Sequence, residues 1–210
     1  MKKRILCFGD SNTWGYCGAD KSRYDEDVRW TGRLQAMLGD GYTVIEEGQN
    51  GRTTVRDDFY ENRLAGLTYL WPCMESHHPF DLLIVMLGTN DAKYYFNARA
   101  KSIAEGAGRL VDMAQKSDFG RDRQPPKVLL IAPVRIENNE SCAHVFGEQA
   151  AEKSREFPQE FRAVAEQYGC EFMDASEFAG PCAEDGVHIS RDGHGRLARA
   201  MCDKIKQMLG

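Results

Sequence analysis

The sequence predicts an α/β protein in which five parallel strands are covered by helices on both faces. Three observations carry that expectation. The runs at 4–8, 81–87 and 127–132 are apolar with little polar alternation, as in strands buried on both faces. Segments with helical spacing of apolar residues fall between the strands, which is the pattern of βαβ units. Turns bearing Gly9, Gly51 and Gly88 follow the first three strands, where the backbone must turn tightly or be approached closely.

Each element has its own justification. Arg4-Ile5-Leu6-Cys7-Phe8 reads as a strand that runs into Gly9-Asp10-Ser11-Asn12-Thr13-Trp14-Gly15, a sharp turn and a helix start. Ser11 would then sit at the carboxyl edge of the sheet beside backbone N–H groups; the duller alternative is that Asp10 and Ser11 only cap the helix. Trp30, Leu34, Met37 and Leu38 share one helical face over 30–38, and Gly39 and Gly41 stop it. A short strand at 43–46 leads into Glu47-Gly48-Gln49-Asn50-Gly51-Arg52-Thr53-Thr54. Residues 64–77 read as a helix with a kink or break at Pro72. The strand at 81–87 ends in Gly88-Thr89-Asn90-Asp91, and a helix is expected over 98–116. Pro133 halts the strand at 127–132. A polar loop over 134–147, one long helix over 148–168, a strand at 171–174, a loop over 175–189 and a closing helix over 191–209 complete the chain. No repeat, low-complexity tract or linker interrupts it, so residues 1–210 are expected to form a single domain.

Composition narrows the class. Of the 210 residues, 42% are hydrophobic and 28% charged, enough for a sizeable core in a soluble protein. A net charge of -5 disfavours nucleic acid or an anionic membrane as partner. No run approaches a membrane-spanning length, and the basic start Met1-Lys2-Lys3-Arg4 leads into a strand rather than the apolar core of a signal peptide. Seven scattered cysteines without a C-x-x-C pair fit reduced thiols in a cytoplasm better than a disulfide framework or a zinc site. Asn139-Glu140-Ser141 matches a glycosylation sequon, a chance match in such a setting.

Acyl transfer needs a nucleophile, a base, a group that orients the base, and oxyanion donors. Ser11 is the candidate nucleophile. Asp185-Gly186-Val187-His188 supplies a carboxylate and an imidazole at a spacing that lets the acid hold one ring nitrogen while the other faces out. Asn90 offers a side-chain amide, and Gly51, lacking Cβ, lets its N–H approach a ligand. Taken singly, each has a plainer reading as a cap, turn or surface ion pair. His194, beside Asp192, is a rival base, discounted because it falls on the expected solvated face of the last helix. His77, His78 and His144 lack a paired acid and read as surface residues. No metal-ligand spacing stands out, and no cofactor is called for.

Taken jointly, these segments resemble the SGNH hydrolases, the GDSL esterase/lipase family, over nearly the whole chain. Gly9-Asp10-Ser11-Asn12 resembles the nucleophile block, Gly51 the glycine of the second block, Gly88-Thr89-Asn90-Asp91 the third block, and Asp185-Gly186-Val187-His188 the last. Asn12 departs from the leucine that the family name implies. The linking segments Ile45-Glu46-Glu47-Gly48, Arg52-Thr53-Thr54 and Met86-Leu87-Gly88 look most like the bacterial arylesterase and acyltransferase branch.

The resemblance implies a flavodoxin-like three-layer α/β/α sandwich and a serine esterase that acts on small esters without a cofactor. Ser11, His188 and Asp185 would form a triad, and Ser11, Gly51 and Asn90 the oxyanion hole. Acyl transfer to alcohols or peroxide, or deacetylation of a carbohydrate, would use the same groups. The α/β-hydrolase pattern is excluded, because Ser11 lies outside G-x-S-x-G and before the first helix. A non-enzymatic nucleotide-binding module is disfavoured, because Asp10 would repel a phosphate and no P-loop lysine follows. Asp10, Asn12, Trp14 and Tyr94 are assigned to the substrate pocket. The aromatic-rich segment 59–80 is expected to support a homo-oligomer.

Overall fold

Side chains along the central strands alternate between two apolar layers, which is why those strands carry almost no polar residues. Ile5 and Cys7 face one core with Leu82, Ile84 and Met86, while Leu6 and Phe8 face the other with Leu83 and Val85. The computed structural model describes all residues, Met1–Gly210. Strands β1 (Lys3–Gly9), β2 (Tyr42–Gly48), β3 (Leu82–Met86), β4 (Lys127–Ala132) and β5 (Glu171–Asp174) form one sheet. Its order is β2-β1-β3-β4-β5, and every pairing is parallel. That is the flavodoxin-like order, in which ligands gather outside the carboxyl ends of the strands.

Helices α2 (Trp30–Leu38) and α8 (Arg191–Leu209) cover one face, burying Trp30, Leu34, Leu197 and Met201. The other face is covered by α3 (Gly66–His77), α4 (Ala100–Gln115) and α7 (Phe157–Tyr168), which bury Leu70, Ile103 and Phe161 among others. The short α1 (Ser11–Trp14) follows β1 directly. It crosses β2 at Gly48, where a Cβ would come within 2.6 Å of the Trp14 Cα, so this crossing requires glycine. No helix is long and apolar enough to cross a membrane.

Three expectations about helices change. Pro72 neither breaks nor ends α3; it lies exposed within a continuous helix whose Leu70, Cys73 and Met74 are anchored in the core. Tertiary packing here outweighs the lost backbone hydrogen bond. The expected loop over 134–147 contains α5 (Glu140–Phe146), capped by Asn139, whose side chain accepts from the Ser141 N–H, and closed by Gly147 at φ +68°. The long helix expected over 148–168 is two, α6 (Ala150–Arg155) and α7. Pro158 lies in the first turn of α7, where a missing N–H costs nothing, and so marks a new start.

Candidate active site

Gly9 of β1 pairs with Gly48 of β2 and with Met86 of β3, so the turns after these three strands emerge side by side at one rim. In the first turn, Asp10 Oδ1 accepts the Asn12 N–H at 2.9 Å, so the capping role exists. The same turn also presents Ser11. Its Oγ lies 2.9 Å from His188 Nε2, and His188 Nδ1 lies 2.7 Å from Asp185 Oδ2.

The other Asp185 oxygen accepts the N–H groups of Val187 at 2.8 Å and His188 at 2.9 Å, and the Cys182 thiol at 3.3 Å. Burial pushes the Asp185 carboxyl up. The His188 ring and those backbone donors outweigh it and hold the group at about 2. A carboxylate ionised at neutral pH can only accept, so the Nδ1 of a neutral His188 ring carries the proton and the Nε2 lone pair faces the Ser11 hydroxyl. The Tyr16 ring packs on the imidazole with centroids 4.2 Å apart. The arrangement can move a proton from Ser11 to His188 while the ring stays fixed.

Gly51 adopts φ +78°, and a Cβ there would meet Arg63 and Glu61, so this turn also needs glycine. The Asn90 side chain, buried at the start of a single 3₁₀ turn (Asn90–Ala92), donates to the Arg52 carbonyl at 3.1 Å. One of its two N–H groups is thereby fixed in direction. Next to it, Asp91 accepts the Thr54 N–H at 3.0 Å and the Thr54 hydroxyl, locking the second and third turns together. Burial raises both Asp10 and Asp91 to about 6.

A cleft of about 380 Å³ opens on Ser11, His188, Gly51 and Asn90, walled by Tyr16, Lys21, Glu61, Val145, Phe146 and Glu184 among others. The four residues assigned to the pocket lie elsewhere. Asp10 is buried beneath the nucleophile, and Asn12 is buried with its Oδ1 on the Ile189 N–H. Trp14 is covered by the Arg23 guanidinium, and Tyr94 is exposed on a neighbouring turn. One step along α1 turns Asn12 away from the Ser11 hydroxyl, and Trp14, although three positions on, is held under the Arg23 guanidinium.

His194 is corrected as well. It is fully buried rather than solvated, because α8 packs this turn against α2. There its Nδ1 accepts the Trp30 N–H at 3.2 Å, and burial lowers its pKa to about 3. Sequence reasoning missed Tyr16 and the buried ion pair of Lys93 with Asp58, 2.9 Å apart, beside the cleft. Tyr16 lies five residues past Ser11, and nothing in its spacing distinguishes it from a core aromatic.

Glu47, Cys73 and His77 bring three metal-type donor atoms within 4.8 Å of one another. His77 Nε2 already bonds Glu47 at 2.7 Å, and burial pushes the Cys73 thiol up to about 12. The Arg52 guanidinium also acts on the group. The trio therefore reads as a hydrogen bond joining α3 to the end of β2 beside a neutral thiol.

A model of the GDSL-like lipase/acylhydrolase family matches residues 7–196. An acetylxylan esterase of Xylanibacter ruminicola is 27% identical over 97% of this chain, which spans 43% of that protein's length. Est24, a carbohydrate acetylesterase from Sinorhizobium meliloti, is 39% identical with a TM-score of 0.94, covering 99% of this chain and 100% of Est24. The native aryl esterase of M. smegmatis is 37% identical with a TM-score of 0.93, at the same coverage. With the family model matched over residues 7–196 and the fold shared with such relatives, the chain belongs to the GDSL-like lipase/acylhydrolase family, a family of carboxylic ester hydrolases.

Proposed function

We propose that the protein, as one domain spanning residues 1–210, cleaves small acetyl-type esters through a Ser11–His188–Asp185 triad. The single observation that carries this reading is the hydrogen-bonded line from Ser11 Oγ to His188 Nε2 and from His188 Nδ1 to Asp185. Ser11 Oγ attacks the ester carbonyl carbon while its proton passes to His188 Nε2, and Asp185 stabilises the imidazolium. The N–H groups of Ser11 and Gly51 and the free N–H of the Asn90 amide hold the oxyanion. Collapse breaks the bond to the alcohol, which leaves with the proton from His188. Water, or an alcohol where water is partly excluded, then attacks the acyl carbon while its proton passes to His188. The bond to Ser11 Oγ breaks, Oγ takes the proton back from His188, and the acid or new ester leaves. Every step is served by the chain's own groups.

A second reading, a carbohydrate acetylesterase with the same triad, is favoured by one observation. The cleft wall presents Lys21, Glu61, His144 and Glu184, whose donors and acceptors suit a hydroxyl-rich alcohol. Est24 supports it by similarity. A binding module without chemistry would leave the aligned proton path unexplained. Cytoplasmic residence and self-association complete the reading; seven free thiols support the first, and the exposed Phe59, Tyr60 and Leu64 the second.

The test is labelling with a fluorophosphonate. Modification mapped to Ser11, lost in Ser11→Ala, supports the reading; labelling that persists in Ser11→Ala overturns it.

A further inference from the structure

Arg52 is 2% exposed, and no hydrogen bond joins its guanidinium to a carboxylate. An unpaired buried cation is expensive unless its donors are used well. Here three contacts are made at the rim, two to backbone carbonyls and one to a side-chain oxygen, while Nε has no partner. Nη1 donates to the Gly9 carbonyl at 2.9 Å and to the Glu47 carbonyl, and Nη2 donates to Gln49 Oε1 at 3.1 Å. The guanidinium lies against Phe8, 4.1 Å from the ring centroid, and is 5.3 Å from that of Tyr69, which confines it to this site. The Arg52 backbone carbonyl, in turn, accepts from Asn90 at 3.1 Å. Gln49 strengthens the junction, since its N–H donates to the same Gly9 carbonyl at 3.1 Å and its carbonyl accepts the Arg52 N–H at 3.1 Å.

One residue thus grips the β1 end two positions before Ser11, follows Gly51 directly, and orients Asn90. These are the three segments that carry the oxyanion donors in the reading above. We propose that Arg52 is the positioning residue of the oxyanion hole: its side chain fixes the first turn against the second, and its carbonyl fixes the Asn90 amide. The role rests on that reading of the site, but it concerns a residue that need not touch substrate. Its positive charge, held behind the three turns, also favours the negative oxygen that forms in front of them.

Arg52→Met keeps an apolar stem between Phe8 and Tyr69 and removes every donor. On an aryl acetate it should lower kcat about 10- to 100-fold, less than the roughly 10²- to 10³-fold loss for an oxyanion donor itself, with KM changed less than about threefold. The Arg52 backbone carbonyl, and with it the bond from Asn90, survives the substitution. In an Asn90→Ala background Arg52→Met should therefore still lower kcat by a similar factor, through the Ser11 and Gly51 N–H groups. Arg52→Lys, which keeps the charge and can reach only part of the carbonyl set, should fall between wild type and Arg52→Met. It carries the same comparison if Arg52→Met does not fold.

Wild-type kcat in either folded variant overturns the proposal. So does a loss that falls on KM as much as on kcat, or one that Arg52→Lys does not partly restore, either of which would mark a general packing effect. Ser11→Ala in parallel separates the two ideas: if it stays active, the reading of the site fails. If it is inactive while the Arg52 variants keep wild-type kcat, only the role of Arg52 fails.

Discussion

Asn12 Oδ1 accepts the Ile189 N–H at 2.8 Å, tying the turn that carries Ser11 to the residue after His188. These two segments are 177 positions apart, and the bond is buried, so it acts as a clamp on the Ser11–His188 distance. The indole N–H of Trp30 donates to the Asn12 carbonyl at 3.1 Å and holds the clamp from the other side. Asn12 is the position at which this chain departs from the leucine of the family name, and the structure gives the departure a purpose.

Asn12→Leu should therefore leave the Ile189 N–H unpaired in a buried setting. The expected cost is about 1–3 kcal/mol of stability, together with a fall in kcat as the histidine loop loosens. Thermal melts and kcat on an aryl acetate check it; unchanged values in both would show that the loop is held by Asp185 alone.

Much of this was legible in the sequence because the signals were periodic or local. The unbroken apolar runs marked the three central strands to within a few residues, since a strand buried on both faces has nowhere to place polar side chains. The edge strands β2 and β5 were legible only as short segments between helices. Ser11, Gly51, Asn90, Asp185 and His188 converge because each sits just beyond or between elements whose order is set by parallel βαβ connections. Contacts made only in three dimensions were not legible. Tyr16 against His188, Arg52 against Gly9 and Asn90, and His194 against Trp30 each join distant or aperiodic positions. α5 was missed because a seven-residue helix with a polar face has too weak a period to outvote its composition.

Asn90→Ala should lower kcat about 10²- to 10³-fold with little change in KM, since the amide faces charge that exists only in the transition state. Steady-state kinetics settle the split. A variant altered mainly in KM would make Asn90 a ground-state binding residue.

The two C-terminal histidines should separate cleanly. His188→Ala should lower kcat by several orders of magnitude in a folded protein, whereas His194→Gln should keep kcat and lose stability. The pH dependence gives a second check. Burial holds His194 near 3, below the ordinary 6.5, so the unfolded chain binds a proton that the native state refuses. That contribution is intact above pH 6.5 and is lost as pH falls from there towards 3. The stability gap between wild type and His194→Gln should shrink between pH 7 and pH 4.5 in urea melts. A constant gap would contradict a buried neutral imidazole.

Acyl size should follow the charge of the cleft wall. Trp14 and Tyr94 do not narrow it, but Lys21, Glu61 and Glu184 line it, and a long alkyl chain would lie against polar groups that prefer water. Acetyl and propionyl esters should be turned over well and octanoyl esters poorly. A maximum at long chains would require a groove outside this cleft.

Self-association should place a second copy beside that cleft. Phe59 and Tyr60 are 85% and 82% exposed, and Leu64 and Trp71 also face solvent, apolar side chains that a second copy would cover. Two residues after Phe59, Glu61 lines the cleft and pairs with Lys93 at 2.7 Å, so whatever covers the patch abuts the substrate. A covered cleft admits less bulk water, and an alcohol then competes better for the acyl group. Phe59→Glu is the cleanest probe, because Trp71 also packs on Phe119 with centroids 5.0 Å apart and its loss would disturb the fold. Light scattering at micromolar concentration should show an oligomer that Phe59→Glu dissociates. In mixed water and alcohol, the dissociated variant should shift its products towards hydrolysis. A monomeric wild type removes the idea, and an unchanged product ratio in the folded, dissociated variant would separate the interface from the chemistry.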